Sequence, residues 1–298
     1  RRNMAEKPVR GIAPVERLLE RLLREWKPDA VVCTYMVYPY MLDSLASRTG
    51  RAVPYLTVVT DSFVINKSWL CSKSPLWAVT DPWTRAIMEE KGLPQDRLRV
   101  TGFPVNPVLG ALAEEHPLSW KEGEPFRVLY FAQRSARHAR AELAGMLDAN
   151  PALHVTCILG RRFRRIYPRI RDLRARYGRR LTVRGWTRRV PSYLAASHVV
   201  VGKAGGATVH EVLAAARPML VNFLLPGQEE GNTRLLEKLG GGSHVPDARA
   251  LASALQEMMA DGGAQWRRMH ENLLRAGMTG GSGRIADLAL KLAEEHTN

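Results

Sequence analysis

Apolar residues recur along the chain with two periods. Ala13 to Trp26 carries Val15, Leu18, Leu19, Leu22, Leu23 and Trp26 at helical spacing and is stopped by Pro28, which predicts an opening helix. Short apolar, β-branched runs then alternate with amphipathic ones, as parallel strands joined by helices do. Strands are predicted at Ala30 to Thr34, Val53 to Val59, Leu76 to Thr80 and from Leu98, with helices at Pro39 to Ser47 and Pro82 to Lys91. A second series opens at Phe126 to Phe131 and continues through Leu153 to Leu159, Leu181 to Val183, Val199 to Val201 and Pro218 to Phe223. Its helices are predicted at Val209 to Ala216, Thr233 to Leu239, Ala248 to Ala260, Ala264 to Arg275 and Arg284 to Glu295. Between the series, Pro104 to Pro125 holds prolines at 104, 107, 117 and 125 with several glutamates and reads as a linker. The expected organisation is therefore α/β: an N-terminal Rossmann-like domain over 1–105, a linker over 106–125, and a C-terminal Rossmann-like domain with terminal helices over 126–298.

The stretch from Val199 to Asn232, VVVGKAGGATVHEVLAAARPMLVNFLLPGQEEGN, concentrates the candidate chemistry. A β-branched strand ends at Gly202, a glycine turn follows, and a helix starts. That arrangement leaves the first helical N–H groups unpaired at the positive end of the helix dipole, where an anion such as a diphosphate is stabilised. Gly205 and Gly206 put no Cβ in the way, and Thr208 adds a hydroxyl. Glu211, one turn on, is placed to accept hydrogen bonds from a vicinal diol such as a ribose. The plainer alternative is a tight turn with a solvated helix charge. After the next strand, Pro226 to Asn232 reads as a loop presenting Gln228, Glu229 and Asn232, side chains suited to sugar hydroxyls.

KAGGATVHE followed by PGQEEGN resembles the donor-site signature of the family 28 glycosyltransferases, closest to the monogalactosyldiacylglycerol synthase and processive diacylglycerol glucosyltransferase branch. The resemblance is specific over residues 180–240 and continues back to about residue 28. It implies a GT-B type fold, in which two Rossmann-like domains with parallel sheets face a cleft. It further implies inverting transfer from UDP-galactose or UDP-glucose to a diacylglycerol-type lipid, with no metal and no cofactor. The donor residues it implies are Lys203, Gly205, Gly206, Thr208, Glu211, Gln228, Glu229 and Asn232. To these it adds Trp186 and Thr187, in the turn that aligns with the family's uracil contact, although a tryptophan there could equally belong to the core.

On the acceptor side, TVVTDSFVINKSWL resembles the family segment in which an Asp at a strand end is followed by His and Trp. Asp61 and Trp69 match, and Asn66 stands where the family has His. Asp61 is the catalytic candidate, with a turn cap as the alternative. Two family features are not found. After Phe131 the chain reads AQRSARHAR where relatives carry a glycine-rich loop, so Arg134, Arg137 or His138 would supply charge there, or this is a solvated helix turn. No Gly-rich, His-bearing loop precedes Ala30, and the first hundred residues hold no histidine. With Arg1 first and Met4 near it, the expectation is a chain that begins after its first βα units, N-terminal domain incomplete, or a binder without turnover.

Composition changes one thing. Forty-four Lys and Arg against 29 Asp and Glu give a net charge of +15, which implies an anionic partner. Residues 161–189 contain thirteen arginines and a single acid, Asp172. This favours an anionic membrane surface over a solvated helix face. The localisation expected is cytoplasmic, peripheral on the inner face of the cell membrane. A nucleic-acid binding module is the rival from another class, but no RNA-recognition, zinc or basic-zipper signature is present and no nucleic acid is expected. A polyprenyl-linked acceptor is the closer alternative. Cys33, Cys71 and Cys157 are widely spaced and suggest neither a zinc site nor a disulfide framework.

Overall fold

The computed structural model describes residues 12–115 and 118–297; Met4 and Pro117 lie outside the described residues. The chain forms two compact units, one running to Pro104 and including Gly280 onward, the other Val105–Thr279.

The first unit contains α1 (Ala13–Trp26), β1 (Val31–Cys33), α2 (Val37–Thr49), β2 (Tyr55–Val58), β3 (Leu76–Val79), α3 (Pro82–Glu90) and β4 (Leu98–Val100). Its four strands are parallel in the order β1-β2-β3-β4. One face packs Val59, Trp69, Trp77, Val79, Met88 and Leu98 together. The other is covered by the C-terminal helix Gly281–Thr297, whose Ile285, Leu288, Ala289 and Leu292 pack on Leu56, Val58 and Ala78.

The second unit contains α4 (Val108–Glu115), β5 (Phe126–Phe131), α5 (Ala136–Ala149), β6 (Leu153–Ile158), α6 (Phe163–Ile166), α7 (Arg171–Tyr177) and β7 (Leu181–Arg184). It continues through α8 (Val190–Ala195), β8 (Val199–Lys203), α9 (Gly206–Ala214), β9 (Met219–Phe223), α10 (Gln228–Lys238), β10 (Gly242–His244), α11 (Ala248–Met259) and α12 (Ala264–Ala276). Six parallel strands run in the order β10-β9-β8-β5-β6-β7. The β-branched run Val199, Val200 and Val201 is wholly buried in the centre of this sheet, as strands covered on both faces require.

Two sequence expectations differ from this organisation. The expected linker, 106–125, contains α4, which belongs to the second unit. The final helix, α13 (Gly281–Thr297), was expected in the C-terminal domain but groups with the first unit. Arg284 Nε donates to Thr101 O at 2.6 Å, and Phe103 O sits so close to Gly281 that no Cβ would fit. Amphipathic spacing says that a helix has an apolar face; it carries no information about which sheet that face covers.

The arginine-rich stretch folds on its own apolar residues. Ile166, Ile170, Leu173 and Tyr177 are buried, and several basic groups hold neighbouring elements. Arg140 and Asp172 form a two-pronged pair at 2.6 Å on both oxygens. Arg180 donates to Leu147 O and Asn150 O at the end of α5, where cations suit the orphan carbonyls. Arg161, Arg164, Arg171, Arg174 and Arg179 make no ion pair among the described residues.

Candidate functional site

In the second unit the chain runs from β5 outward through β6 and β7, then returns to the other side of β5 for β8, β9 and β10. The reversal lies between β5 and β8, and in open α/β sheets the crevice outside the carboxyl ends at such a point is where ligands bind. The two loops flanking it are Ala132–Ser135 after β5 and Ala204–Gly205 after β8. They are brought together because Gly202 faces Phe131, whose Cβ would lie 3.3 Å from any Cβ at position 202.

From this point α9 departs. Its N-cap, Gly205, has an extended backbone and no side chain caps the helix. The first intrahelical bond is Val209 N–H to Gly205 O at 2.9 Å, which leaves the N–H groups of Gly206, Ala207 and Thr208 directed outward without a partner among the described residues. The Thr208 hydroxyl is likewise unbonded there. Glu211 is half-buried, makes no hydrogen bond or ion pair among the described residues, and desolvation raises its pKa. A half-buried carboxyl group without a partner, on the turn after an uncapped helix start, is a poor structural device and a good ligand acceptor. Beside it, burial pushes His210 down to about 3, so that this imidazole is neutral.

The segment after β9 departs from expectation. Gln228, Glu229 and Asn232 were expected on a loop, and they stand instead in the first turns of α10, which starts after Gly227 at φ 97°. The helix forms because Glu229 and Glu230 sit in its first turn, where carboxylates complement the dipole. Glu229 is 7% exposed. Its Oε1 accepts from Lys203 Nζ at 2.5 Å and its Oε2 from Leu225 N–H at 2.8 Å. Asn232 is buried and donates to Ala204 O at 2.9 Å, while its Oδ1 has no partner among the described residues. Thus Lys203, Glu229 and Asn232 tie α10 to the β8–α9 turn, with Lys203 Cε folded over the space that a side chain at Gly205 would fill. Gln228 is the exposed member of the set.

Trp186 and Thr187 lie on the turn after β7. Trp186 is 61% exposed, with the Arg188 guanidinium 5.7 Å over its ring, so it does not belong to the core. Thr187 Oγ1 accepts from Arg189 N–H at 3.1 Å.

In the first unit, Asp61 does not face solvent. It is 1% exposed and its Oδ2 accepts from Trp69 Nε1 at 2.9 Å. Asn66 caps the short 3-10 turn Lys67–Leu70 by accepting from Ser68 N–H. Asp81, absent from the sequence-derived set, caps α3 through Thr84 N–H and binds the Thr80 and Thr84 hydroxyls. Sequence reasoning also missed Glu142, a buried carboxylate in the second unit that Tyr130 and the distant Asn222 hold between them.

Two family models match the chain. Residues 12–105 match the monogalactosyldiacylglycerol (MGDG) synthase family, and residues 144–282 match the glycosyltransferase family 28 C-terminal domain. The chain is 25% identical over 252 residues to a processive diacylglycerol beta-glucosyltransferase of Staphylococcus carnosus, covering 83% of this chain and 63% of that protein. It is 23% identical over 285 residues to the protein of the same name from Bacillus subtilis, covering 94% and 73%. The chain therefore spans somewhat under two thirds of the first of these relatives. Among solved structures, Acinetobacter baumannii MurG superposes with a TM-score of 0.66 at 15% identity, over 94% of this chain and 78% of that one. A Neisseria meningitidis UDP-GlcNAc 2-epimerase bound to UDP-GlcNAc gives 0.68 at 14%, over 97% and 84%. These likenesses show the GT-B fold. An MGDG synthase match is thus followed on one chain by a match to the glycosyltransferase family 28 C-terminal domain, which is the resemblance that the KAGGATVHE and PGQEEGN motifs carry.

Proposed function

We propose that the chain moves a hexose from UDP-glucose or UDP-galactose to the hydroxyl of a diacylglycerol-type membrane lipid, with inversion at the anomeric carbon. The observation that carries this reading is the uncapped start of α9 at the switch point, with the unpartnered Glu211 on its next turn. The N–H groups of Gly206 to Thr208 and the helix dipole would stabilise the diphosphate as it leaves, and Glu211 would accept the ribose hydroxyls. Two relatives named diacylglycerol beta-glucosyltransferases support the lipid acceptor and glucose. Because the donor's anomeric bond is α, a β-linked product also supports inversion.

Glu229 and Asn232 would act by positioning, since their polar atoms already hold Lys203, Leu225 and Ala204. Gln228, exposed at the start of α10, would meet the hexose. Asp61 would position Trp69 and the acceptor-side loop; its closed carboxyl does not suit the base that takes the lipid proton. No helix among the described residues is long and apolar enough to cross a membrane. Attachment would be peripheral, on the cytoplasmic face, through the arginines of residues 161–189, each worth about 1 kcal/mol near an anionic surface.

Calorimetric titration with UDP tests the donor site: stabilisation and measurable heat are expected, and neither at millimolar UDP would overturn it. Sedimentation with phosphatidylglycerol and with phosphatidylcholine vesicles tests attachment. Salt-sensitive binding to the anionic vesicles alone is expected, whereas equally tight binding to duplex DNA would favour the nucleic-acid alternative. Glucose transfer to diacylglycerol but not to a polyprenyl phosphate carrier would choose the acceptor.

A further inference from the structure

The second loop of the switch point, after β5, carries a cation rather than glycines. Arg134 Nη1 lies 3.4 Å from Glu142 Oε1 and 3.4 Å from Asn222 O, and its guanidinium sits 5.6 Å over the Phe223 ring. Glu142 is 2% exposed and is fixed by two shorter bonds, from Tyr130 OH at 2.6 Å and Asn222 Nδ2 at 2.7 Å. The arginine therefore starts from β5 and reaches the end of β9. In this sheet β8 lies between those strands, so the side chain crosses the carboxyl end of β8, where Lys203 pairs in register with Phe223 and the turn into α9 begins.

An arginine whose task is to neutralise a carboxylate closes on it in the manner of Arg140, which bonds Asp172 at 2.6 Å through both nitrogens. Arg134 does not. Both its contacts are long and fall on one nitrogen, leaving Nε and Nη2 without partners among the described residues, and its side chain is only 22% exposed. Lys203, a further cation at the crevice, is already closed on Glu229, and Arg162 is turned onto the loop's own carbonyls at Gln133 and Arg134. A helix start supplies partial charge to a diphosphate, but no full positive charge.

We infer that Arg134 is the charged ligand of the donor's terminal phosphate, held across the switch point by buried Glu142 in place of a glycine-rich loop. This rests on the UDP-sugar reading and deepens it: α9 takes one phosphate through backbone N–H groups, and Arg134 takes the other through its planar fork.

The test is the affinity of the 298-residue chain for UDP and for UMP, with Arg134→Gln and Arg134→Lys beside the wild type. Arg134→Gln is expected to weaken UDP about ten- to a hundredfold and UMP less than about threefold; Arg134→Lys, a point charge without the fork, is expected between wild type and Arg134→Gln. Equal losses for UDP and UMP, or unchanged UDP affinity in a cooperatively folded variant, would overturn the inference and leave the donor site standing. A wild type that binds neither nucleotide would remove the donor site itself. If Arg134→Gln does not fold, the UDP to UMP ratio of Arg134→Lys decides by the same rule.

Discussion

At the carboxyl ends of the two sheets, polar groups differ in how many are left open, although Lys203, Glu229 and Asn232 are tied together in the second. In the first unit they are closed on one another: Asp61 on Trp69, Asp81 on Thr80 and Thr84, Ser62 on Thr80. In the second, the N–H groups opening α9, the Glu211 carboxyl and two nitrogens of Arg134 have no partner among the described residues. Closed networks stabilise a fold, while open ones cost stability and persist where a ligand completes them. The second unit can carry that cost because its core is deep: six strands, with Phe126, Leu129, Tyr130, Val199, Val200 and Val201 all at 0–1% exposure. The first has four strands of three or four residues.

Acid should separate the units most. His198 in the second unit accepts Arg127 N–H on Nδ1 and stacks on Phe126; burial, aided by Arg127, pushes it down to about 4. Burial takes His210 to about 3. Both pKa values lie below the unfolded value near 6.5, so the folded state binds fewer protons. The stability they protect is full above pH 6.5 and falls as pH drops toward 4 and 3. Each is expected to cost about 2 kcal/mol between pH 7 and pH 5. The one described histidine of the first unit, His296, is exposed near the end of the C-terminal helix, so at pH 5 protection against amide exchange, relative to the intrinsic rate, should fall in β5, β8 and α9 well before β2 and β3. Uniform exchange across both sheets would erase the contrast.

A pair of truncations compares closed groups directly. Asp61→Ala frees a buried indole N–H, and Glu229→Ala leaves Lys203 and Leu225 N–H unpaired. Each is expected to lower stability by about 1–3 kcal/mol, measured by urea unfolding. Only the second should also weaken UDP and UDP-glucose, and both alike, because Glu229 sets the β8–α9 turn rather than touching the sugar. A loss confined to UDP-glucose would restore Glu229 as a sugar contact.

How much of this was legible in the chain depends on the reach of each interaction. The β8 to α9 unit shows in the sequence because a β-branched run, a glycine pair and a helix are consecutive. The start of α10 was also within reach, since Gly227 followed by Gln, Glu and Glu is a helix opening, yet PGQEEGN reads first as a loop. Glu142 was not, because its partner Asn222 lies 80 residues away. Nor was the closure of Asp61, since a carboxylate at a strand end reads alike whether an indole eight residues on covers it or not. Sequence places residues at an edge; burial decides whether they are available.

Glu211→Gln sharpens the contrast with opposite signs. Desolvation raises this carboxyl's pKa, so its contribution to stability falls as pH rises through the folded value, and replacing it by a neutral amide should raise the melting temperature at pH 8 more than at pH 5. UDP affinity should fall about tenfold, a charge-assisted bond being replaced by a neutral one. A variant that is both less stable and unimpaired in UDP binding would make Glu211 structural.

The smallest effect expected is at Trp186. A side chain 61% exposed gives little to stability, so Trp186→Ala should leave the unfolding midpoint within about 0.5 kcal/mol. The Arg188 guanidinium on one side of the ring does not account for so large an apolar surface at a strand's carboxyl end. A planar base would cover the remaining face, and a stacked aromatic pair contributes about 0.5–1.5 kcal/mol, or roughly two- to tenfold in affinity. The variant should therefore lose that factor for UDP and for uridine, and nothing for inorganic pyrophosphate, which meets only α9 and Arg134. Loss for pyrophosphate as well would mean that the turn after β7 supports the phosphate site indirectly. No loss for uridine would take the base away from this turn.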